Sequence, residues 1–219
     1  MASDTSLRQE IVDRCRQMNA AGLNQGTSGN ISARCGQRML ITPSAVAYDA
    51  LTSEMVAAMP LAAEDGSWEG PVRPSSEWRF HLDLMRARPE IGAIVHAHAP
   101  HATALAIARK PIPAVHYMIA AFGGADIRVA DYATFGTAEL SRNVLAAMNG
   151  RRGCLMANHG MLAAGRSLDH AMRLAVELEA LARQYVLALQ IGGPVLLSDA
   201  EIARAQTAFE GYGPNAEAS

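Results

Sequence analysis

Residues 92–100 read GAIVHAHAP and carry two histidines in an apolar run. The pattern is typical of a buried strand, which we predict over residues 91–99. Because side chains alternate at a period of two along a strand, His96 and His98 point to the same face. Two imidazoles on one buried face need either separate polar partners or one shared cation. We therefore predict that this strand contributes two ligands to a metal site.

The segments around this strand alternate between helical and strand patterns. Leu7, Ile11 and Cys15 recur near helical spacing and predict an amphipathic first helix. Serines at 75 and 76 predict a helix that runs to about residue 88, since Pro89 discourages its continuation. Three more helices are expected, at 137–148, at 168–190 and after the capping box of Ser198 and Glu201. Short strands are expected at 38–42, 112–116, 127–130 and 153–158.

This mixed order of elements predicts an α/β fold in one domain that spans residues 1–219. Half of the 219 residues are hydrophobic, which is enough to bury a sizeable core. Residues 62–74 are polar and contain prolines, and we interpret them as an insertion rather than a domain linker. We expect residues 211–219 to form a flexible tail.

The composition argues against several classes of partner. The net charge is -2, and Lys and Arg are scattered along the chain, so we expect no binding to nucleic acid. No apolar run approaches the roughly 20 residues of a membrane span. The N-terminus lacks the layout of a signal peptide. We therefore expect no membrane partner and a cytoplasmic protein, with the three cysteines as reduced structural residues.

Two further residues are weaker candidates for the metal. His159 follows a second apolar run and precedes a glycine, so its ring can reach a site at a strand end. Glu77 lies in the first turn of the serine-capped helix, where the helix dipole also favours a carboxylate. Each therefore has an ordinary structural interpretation besides ligation. The remaining histidines show no spacing that pairs them with the strand and are interpreted as structural or surface residues: His81, His101, His116 and His170.

Two segments are suited to binding an anion. Residues 22–32 read GLNQGTSGNIS and are predicted to form a loop whose glycines let the backbone approach a phosphate. The helix start at Ser75 and Ser76 offers backbone N–H donors and a positive potential. Because glycine-rich loops are more often simple turns, the phosphate interpretation depends on the neighbouring metal site.

Motifs along nearly the whole chain resemble the class II aldolase/adducin family. In order, they are GLNQGTSGNIS, MLITPS, PSSEWRFH, HAHAPH, IPAVHYMIAAFGG, DYATFGT, NHG and LSDAEI. The resemblance implies an αβα sandwich around a mostly antiparallel sheet. It also implies a C4 homotetramer with active sites between neighbouring subunits.

The resemblance also assigns roles to residues. It implies one zinc ion per subunit, with Mn²⁺ and Co²⁺ as alternatives, held by Glu77, His96, His98 and His159. It implies a binding site for the substrate phosphate at Gly26, Thr27, Gly29, Asn30, Ser44, Ala45, Ser75 and Ser76. Glu77 would also be the general base, Tyr117 of a neighbouring subunit would handle the proton on the aldehyde oxygen, and Tyr212 would be a second tyrosine on the tail. TPSA at residues 42–45 departs from the pattern TPTG, because Ala45 lacks the freedom of glycine at φ > 0.

The activity implied by the resemblance is reversible cleavage of a ketose 1-phosphate to dihydroxyacetone phosphate and an aldehyde. The first candidate is L-fuculose 1-phosphate, which gives L-lactaldehyde. The alternatives are 5-deoxyribulose 1-phosphate and 5-methylthioribulose 1-phosphate, in salvage of 5'-deoxynucleosides. Zinc would be the Lewis acid, so the reaction needs no Schiff-base lysine. A pentulose-phosphate 4-epimerase, which carries Asp in place of Glu77, and a metal-free adducin-like module are less favoured.

Overall fold

The computed structural model describes residues 4–210. Within this range the helices are α1 (Asp4–Ala20), α2 (Trp78–Ala87), α3 (Pro100–Ile107), α4 (Ala138–Ala147), α5 (Leu168–Gln190) and α6 (Asp199–Glu210). The strands are β1 (Asn30–Cys35), β2 (Arg38–Ile41), β3 (Ala57–Pro60), β4 (Ala93–Ala97), β5 (Arg128–Ala130), β6 (Gly153–Met156) and β7 (Gly160–Gly165). Short 3-10 helices cover Ser53–Met55 and Tyr117–Phe122. Among these described helices, none is long and apolar enough to cross a bilayer.

The strands form one sheet in the order β3-β2-β1-β4-β7-β6-β5. Neighbouring strands pair antiparallel except β5 and β6, which are parallel. The sheet is therefore mixed, where the resemblance implied a mostly antiparallel one.

Hydrophobic cores lie on both faces of this sheet. Helices α1, α3 and α5 contribute to one core, with Ile11, Leu105 and Leu178 among its buried residues. Helices α2 and α4 contribute to the other, with Phe80 and Val144. Each face is thus covered by helices, which confirms the predicted αβα sandwich of the α/β class.

Strand β4 lies at the centre of the sheet and pairs antiparallel with β1 and β7. His96 is opposite Asn30 of β1 and opposite Leu162 of β7. In antiparallel neighbours the end of one strand lies beside the start of the next. The C-terminal end of β4 therefore lies beside the residues at the starts of β1 and β7.

Several predicted boundaries are wrong. Helix α2 begins at Trp78, so Glu77 is its N-cap and not a first-turn residue. Within the described range, residues 112–116 form no strand, because Ile112 makes only an isolated bridge. The predicted loop at 22–32 ends early, since Asn30 already begins β1. The patterns also failed to predict the strands β3 and β7, which are short and rich in Ala or Gly, types with weak strand preference. They failed to predict α3 as well, a helix of only eight residues.

The three cysteines are free thiols. Burial raises the pKa of Cys154 to about 12 and raises that of Cys15 as well, so both thiols stay protonated at neutral pH. These two side chains are core residues, as expected from the sequence.

Candidate active site

Three histidines converge at the C-terminal end of the central strand β4. His96 lies in β4, His98 follows it, and His159 lies in the turn between β6 and β7. One ring nitrogen from each lies within 4.8 Å of the others. Asn158 adopts a left-handed φ of 53° in that turn, a conformation that asparagine tolerates better than most residues. The spacing prediction for His96 and His98 on one face is therefore realised, and His159 joins them.

The ring of His96 has a fixed orientation. Its Nδ1 lies 2.9 Å from the carbonyl of Met161, and because a carbonyl only accepts, Nδ1 donates. Nε2 is then left with a free lone pair, 3.2 Å from Nε2 of His98. Burial and the neighbouring histidines His96 and His159 lower the pKa of His98 to about 4. His98 is therefore neutral at pH 7, the form in which imidazole binds a metal.

Glu77 completes the cluster from α2. Its backbone N–H donates to Ser75 Oγ over 3.2 Å, which fixes the start of the helix. Oε2 lies 3.3 Å from His96 Nε2 and Oε1 lies 3.1 Å from His159 Nε2. Burial alone would raise the pKa of Glu77, but the neighbouring imidazoles of His96 and His159 hold it well below its ordinary value. The carboxylate is ionised, and the four predicted ligands lie together.

These side chains fit a divalent metal ion. Oε1 of Glu77 is buried and makes no well-formed hydrogen bond with any residue in the range 4–210, although His159 Nε2 lies 3.1 Å away. A buried carboxylate oxygen without a donor is costly unless a cation satisfies it. Three imidazole nitrogens and one carboxylate oxygen are a donor set that suits zinc.

A cavity of about 340 Å³ opens beside the cluster. All of the predicted phosphate residues except Gly26 line it, namely Thr27, Gly29, Asn30, Ser44, Ala45, Ser75 and Ser76. The loop after β2 meets the start of α2 here, because Ser75 N donates to Thr42 O over 2.9 Å and Ser76 N donates to Ser44 Oγ over 2.9 Å. Hydroxyls and backbone amides are therefore concentrated beside the histidines.

Two features of this lining bear on the sequence predictions. Ala45 has a φ of 60°, so alanine occupies the left-handed conformation that the TPTG pattern gives to glycine. Tyr132, Ala133, Phe135 and Asn158 also line the cavity. The position of Asn158 before His-Gly could have predicted a tight turn there, because Asn tolerates a positive φ in such turns.

The remaining histidines lie outside the metal cluster. His101 Nδ1 lies 2.7 Å from Glu179 Oε1, after Pro100 has begun α3 and turned the chain away from β4. His116 accepts from Met118 N at a 3-10 helix start. His81 belongs to α2, is fully buried, and contacts Ser32 and Asn30 of β1. No sequence pattern indicated that His81 contacts these two residues.

Of the two predicted tyrosines, the structure describes only Tyr117, which lies outside the cavity of its own chain. Tyr117 is 53% exposed, and its ring stacks on Phe209 of α6 with centroids 6.1 Å apart. Tyr117 does not line the cavity that the described residues form. Tyr212 and the predicted tail at 211–219 lie outside the described residues.

The sequence matches the family described as Class II Aldolase and Adducin N-terminal domain over residues 9–186, which is most of the chain. This chain belongs to the class II aldolase and adducin family. A 5-methylthioribulose-1-phosphate/5-deoxyribulose-1-phosphate aldolase of Rhodospirillum rubrum is 51% identical over 98% of this chain and 96% of the relative. An L-fuculose phosphate aldolase of Escherichia coli K12 is 46% identical over 94% of this chain and 95% of the relative.

Solved structures of the class II aldolase family agree with these relatives. An L-fuculose 1-phosphate aldolase superposes with a TM-score of 0.91 at 41% identity, over 96% of this chain and 98% of that one. The predicted family, its fold and the class II aldolase type of enzyme, an aldehyde-lyase, are confirmed.

Proposed function

We propose that this class II aldolase is zinc-dependent and reversibly cleaves a ketose 1-phosphate to dihydroxyacetone phosphate and an aldehyde. The observation that carries the proposal is the convergence of three histidines and Glu77 beside a cavity lined by hydroxyls and backbone amides. A metal next to an anion pocket is the combination that this cleavage requires.

His96, His98, His159 and Glu77 would hold the ion. When bound, zinc supplies Lewis-acid chemistry at the substrate carbonyl and makes a lysine nucleophile unnecessary. The sequence agrees, because its only lysine, Lys110, is exposed and does not line the cavity formed by residues 4–210. The hydrogen bond from His96 to the Met161 carbonyl would keep that ring oriented toward the ion.

Glu77 would have two roles. At rest its buried carboxylate would be a metal ligand beside His96 and His159. During turnover it would leave the ion and exchange a proton on the dihydroxyacetone phosphate carbon as general base. Its ionised state supports this role, since only the carboxylate form accepts a proton.

The cavity lining would bind the substrate phosphate. Ser44, Ser75 and Ser76 supply hydroxyls, and Asn30 supplies an amide donor. Thr27 and Gly29 bring the loop before β1 to the same cavity, while Gly26 would act from the loop outside the lining. Neutral donors of this kind bind a phosphate without a lysine or arginine.

For the substrate, the relatives favour the two pentulose 1-phosphates over L-fuculose 1-phosphate. Identity to the R. rubrum salvage aldolase is 51%, against 46% to the fuculose phosphate aldolase of E. coli K12. All three substrates end in a methyl group, which the exposed rings of Tyr132 and Phe135 would contact. L-Fuculose 1-phosphate remains the second candidate because motifs along nearly the whole chain match its aldolases.

We further propose a cytoplasmic C4 homotetramer in which Tyr117 of one subunit completes the site of its neighbour. The support is that Tyr117 is half exposed and lies away from the cavity of its own chain. It would handle the proton on the oxygen that becomes the aldehyde. Tyr212 of the single domain 1–219, which lies outside the described residues, would be the second tyrosine.

Two measurements test this proposal. Metal analysis should find about one equivalent of zinc per chain, and chelation should abolish cleavage. A zinc content below about one equivalent per chain, together with cleavage that a chelator does not inhibit, would reject the metal mechanism. Comparison of kcat/KM for the three ketose 1-phosphates should favour a pentulose phosphate by at least about tenfold, roughly 1.4 kcal/mol in transition-state binding. A preference of that size for L-fuculose 1-phosphate would reverse the substrate proposal.

A further inference from the structure

A chain of three buried hydrogen bonds joins β1 to α2 behind Glu77. Ser32 Oγ lies 2.7 Å from His81 Nδ1, and His81 Nε2 lies 2.5 Å from Asn30 Oδ1. Asn30 Nδ2 then donates to Glu77 Oε2 over 2.9 Å. Ser32 and His81 have no exposed surface and Asn30 is 3% exposed. Water therefore does not compete for these bonds, and each is stronger than on the surface.

The direction of each bond follows from the group at its end. An ionised carboxylate only accepts, so the Asn30 amide turns its NH₂ toward Glu77 and its Oδ1 toward His81. Oδ1 also only accepts, so Nε2 of His81 carries the proton. Burial, with a smaller effect of the neighbouring His96, lowers the pKa of His81 to about 3, so the ring is neutral and Nδ1 accepts from the Ser32 hydroxyl.

We propose that His81 is a positioning residue, which locks the Asn30 amide with its NH₂ toward Glu77 and so fixes that carboxylate for proton transfer. Without the donor at Nε2, the amide is free to turn over, and Oδ1 would then face the Glu77 oxygen. Two acceptors in contact repel, and the carboxylate would lose its geometry. The inference rests on the proposed role of Glu77 as general base.

A purely structural role for His81 leads to a different expectation. Its ring stacks on Phe80 with centroids 4.6 Å apart, so the side chain also fills the core. If only shape mattered, leucine would replace His81 better than glutamine does. If the donor matters, glutamine is the better replacement, because its amide nitrogen can donate to Asn30 Oδ1.

The kinetic test compares His81→Leu, His81→Gln and Ser32→Ala with the wild-type metal-loaded enzyme. The reaction followed is exchange of carbon-bound hydrogen of dihydroxyacetone phosphate with D₂O, which requires the base but no aldehyde. We expect His81→Leu to lower kcat for exchange about 30-fold, with KM within about threefold and unchanged bound metal. His81→Gln should stay within about threefold of wild type.

Three kinetic outcomes would overturn the proposal: unimpaired exchange in His81→Leu, equal impairment in His81→Leu and His81→Gln, or a loss confined to KM. Ser32→Ala keeps the Nε2 donor but removes the group that selects its tautomer. If His81→Leu does not fold, Ser32→Ala decides the matter, with an expected kcat about threefold below wild type. An unchanged kcat in Ser32→Ala would reject the proposed positioning role of His81.

A second measurement needs no turnover. In long-range ¹H–¹⁵N spectra of the metal-free protein, His81 should be a neutral ring protonated at Nε2, and Ser32→Ala should admit the other tautomer. A wild-type ring protonated at Nδ1 would contradict the bond directions. This result also separates the two hypotheses: a wild-type protein that cleaves no ketose 1-phosphate rejects the proposed function, whereas the tautomer tests the hydrogen-bond chain alone.

Discussion

Oε2 of Glu77 lies 3.3 Å from Nε2 of His96, a ring with no exposed surface. The same oxygen receives the amide hydrogen bond of Asn30, while Oε1 lies 3.1 Å from His159 Nε2 and makes no well-formed hydrogen bond with any described residue. The two oxygens of one carboxylate therefore have different surroundings. Oε2 is held by the protein, and Oε1 is available for a metal ion or a substrate proton.

Replacement of Glu77 by glutamine should separate metal binding from proton transfer. We expect Glu77→Gln to keep its fold and most of its zinc, because three imidazoles remain. Cleavage should fall by at least about 100-fold in kcat, since an amide cannot accept the proton. Metal analysis and steady-state kinetics on the same sample measure both effects.

A matched control is Glu69→Gln, at a carboxylate that is 72% exposed and does not line the cavity formed by the described residues. It should retain wild-type cleavage. A Glu77→Gln enzyme with normal kcat would remove the base role and leave the three-histidine site standing.

The stability of the metal-free protein should fall on acidification. The pKa of His81 is about 3 in the folded chain against 6.5 for an ordinary histidine. Between those values the unfolded chain binds a proton that the folded chain does not, so stability is lost as the pH drops. From pH 7 to pH 5 this single group should remove about 2 kcal/mol from the free energy of unfolding.

Urea unfolding at one protein concentration and both pH values measures this loss. His81→Gln cannot titrate, so its free energy of unfolding should fall by about 2 kcal/mol less over the same interval. If both proteins lose equal stability, the neutral buried state of His81 is wrong.

The metal cluster shows which parts of the site the sequence could predict. His96 and His98 were found from alternation alone, because their shared face depends only on a local period of two. His159 and Glu77 come from turns whose approach depends on the β4–β7 pairing and on the start of α2, so their sequence positions made them only weak candidates and the family resemblance assigned them as ligands. Distant contacts of this kind leave no local pattern in one sequence.

The hydrogen-bond chain behind Glu77 was missed for a similar reason. Asn30 and Ser32 alternate with Ile31 and Ala33, which is a strand pattern, but the preceding glycines favoured a loop. Because β1 was not predicted, no strand was expected opposite α2 to supply a partner for His81. His81 was therefore interpreted as an ordinary structural or surface residue. Helix α2 is predicted from Ser75 and Ser76 as N-caps, and its observed start at Trp78 is a few residues later.

Ala45 should be a site where glycine stabilises the fold. Its φ of 60° costs an L-residue about 1–2 kcal/mol, and the greater flexibility of glycine in the unfolded chain offsets part of that gain. We expect Ala45→Gly to raise the free energy of unfolding by about 0.5–1 kcal/mol. Ala104→Gly, at an exposed position within α3, should lower it by about 1 kcal/mol. Destabilisation by both variants would show that Ala45 is not strained.

Subunit mixing should test whether Tyr117 acts in a neighbour's site. Glu77→Gln and Tyr117→Phe homotetramers should each be nearly inactive, since each lacks one group of every site. In a cyclic tetramer, a site is intact when one subunit supplies Glu77 and the next supplies Tyr117. Random assembly from equal amounts makes this true for about one quarter of the sites, because each condition holds with a probability of one half.

Co-expression of the two variants with different tags, followed by tandem purification, isolates the mixed tetramers for this assay. Tyr117 is half exposed and stacks on Phe209 within its own chain, so removal of its hydroxyl should leave the subunit folded. Recovery of activity requires that the two residues come from different chains, because a site built from one chain always carries one of the two defects. Mixed tetramers as inactive as the parents would therefore place both groups in one subunit or remove Tyr117 from the reaction.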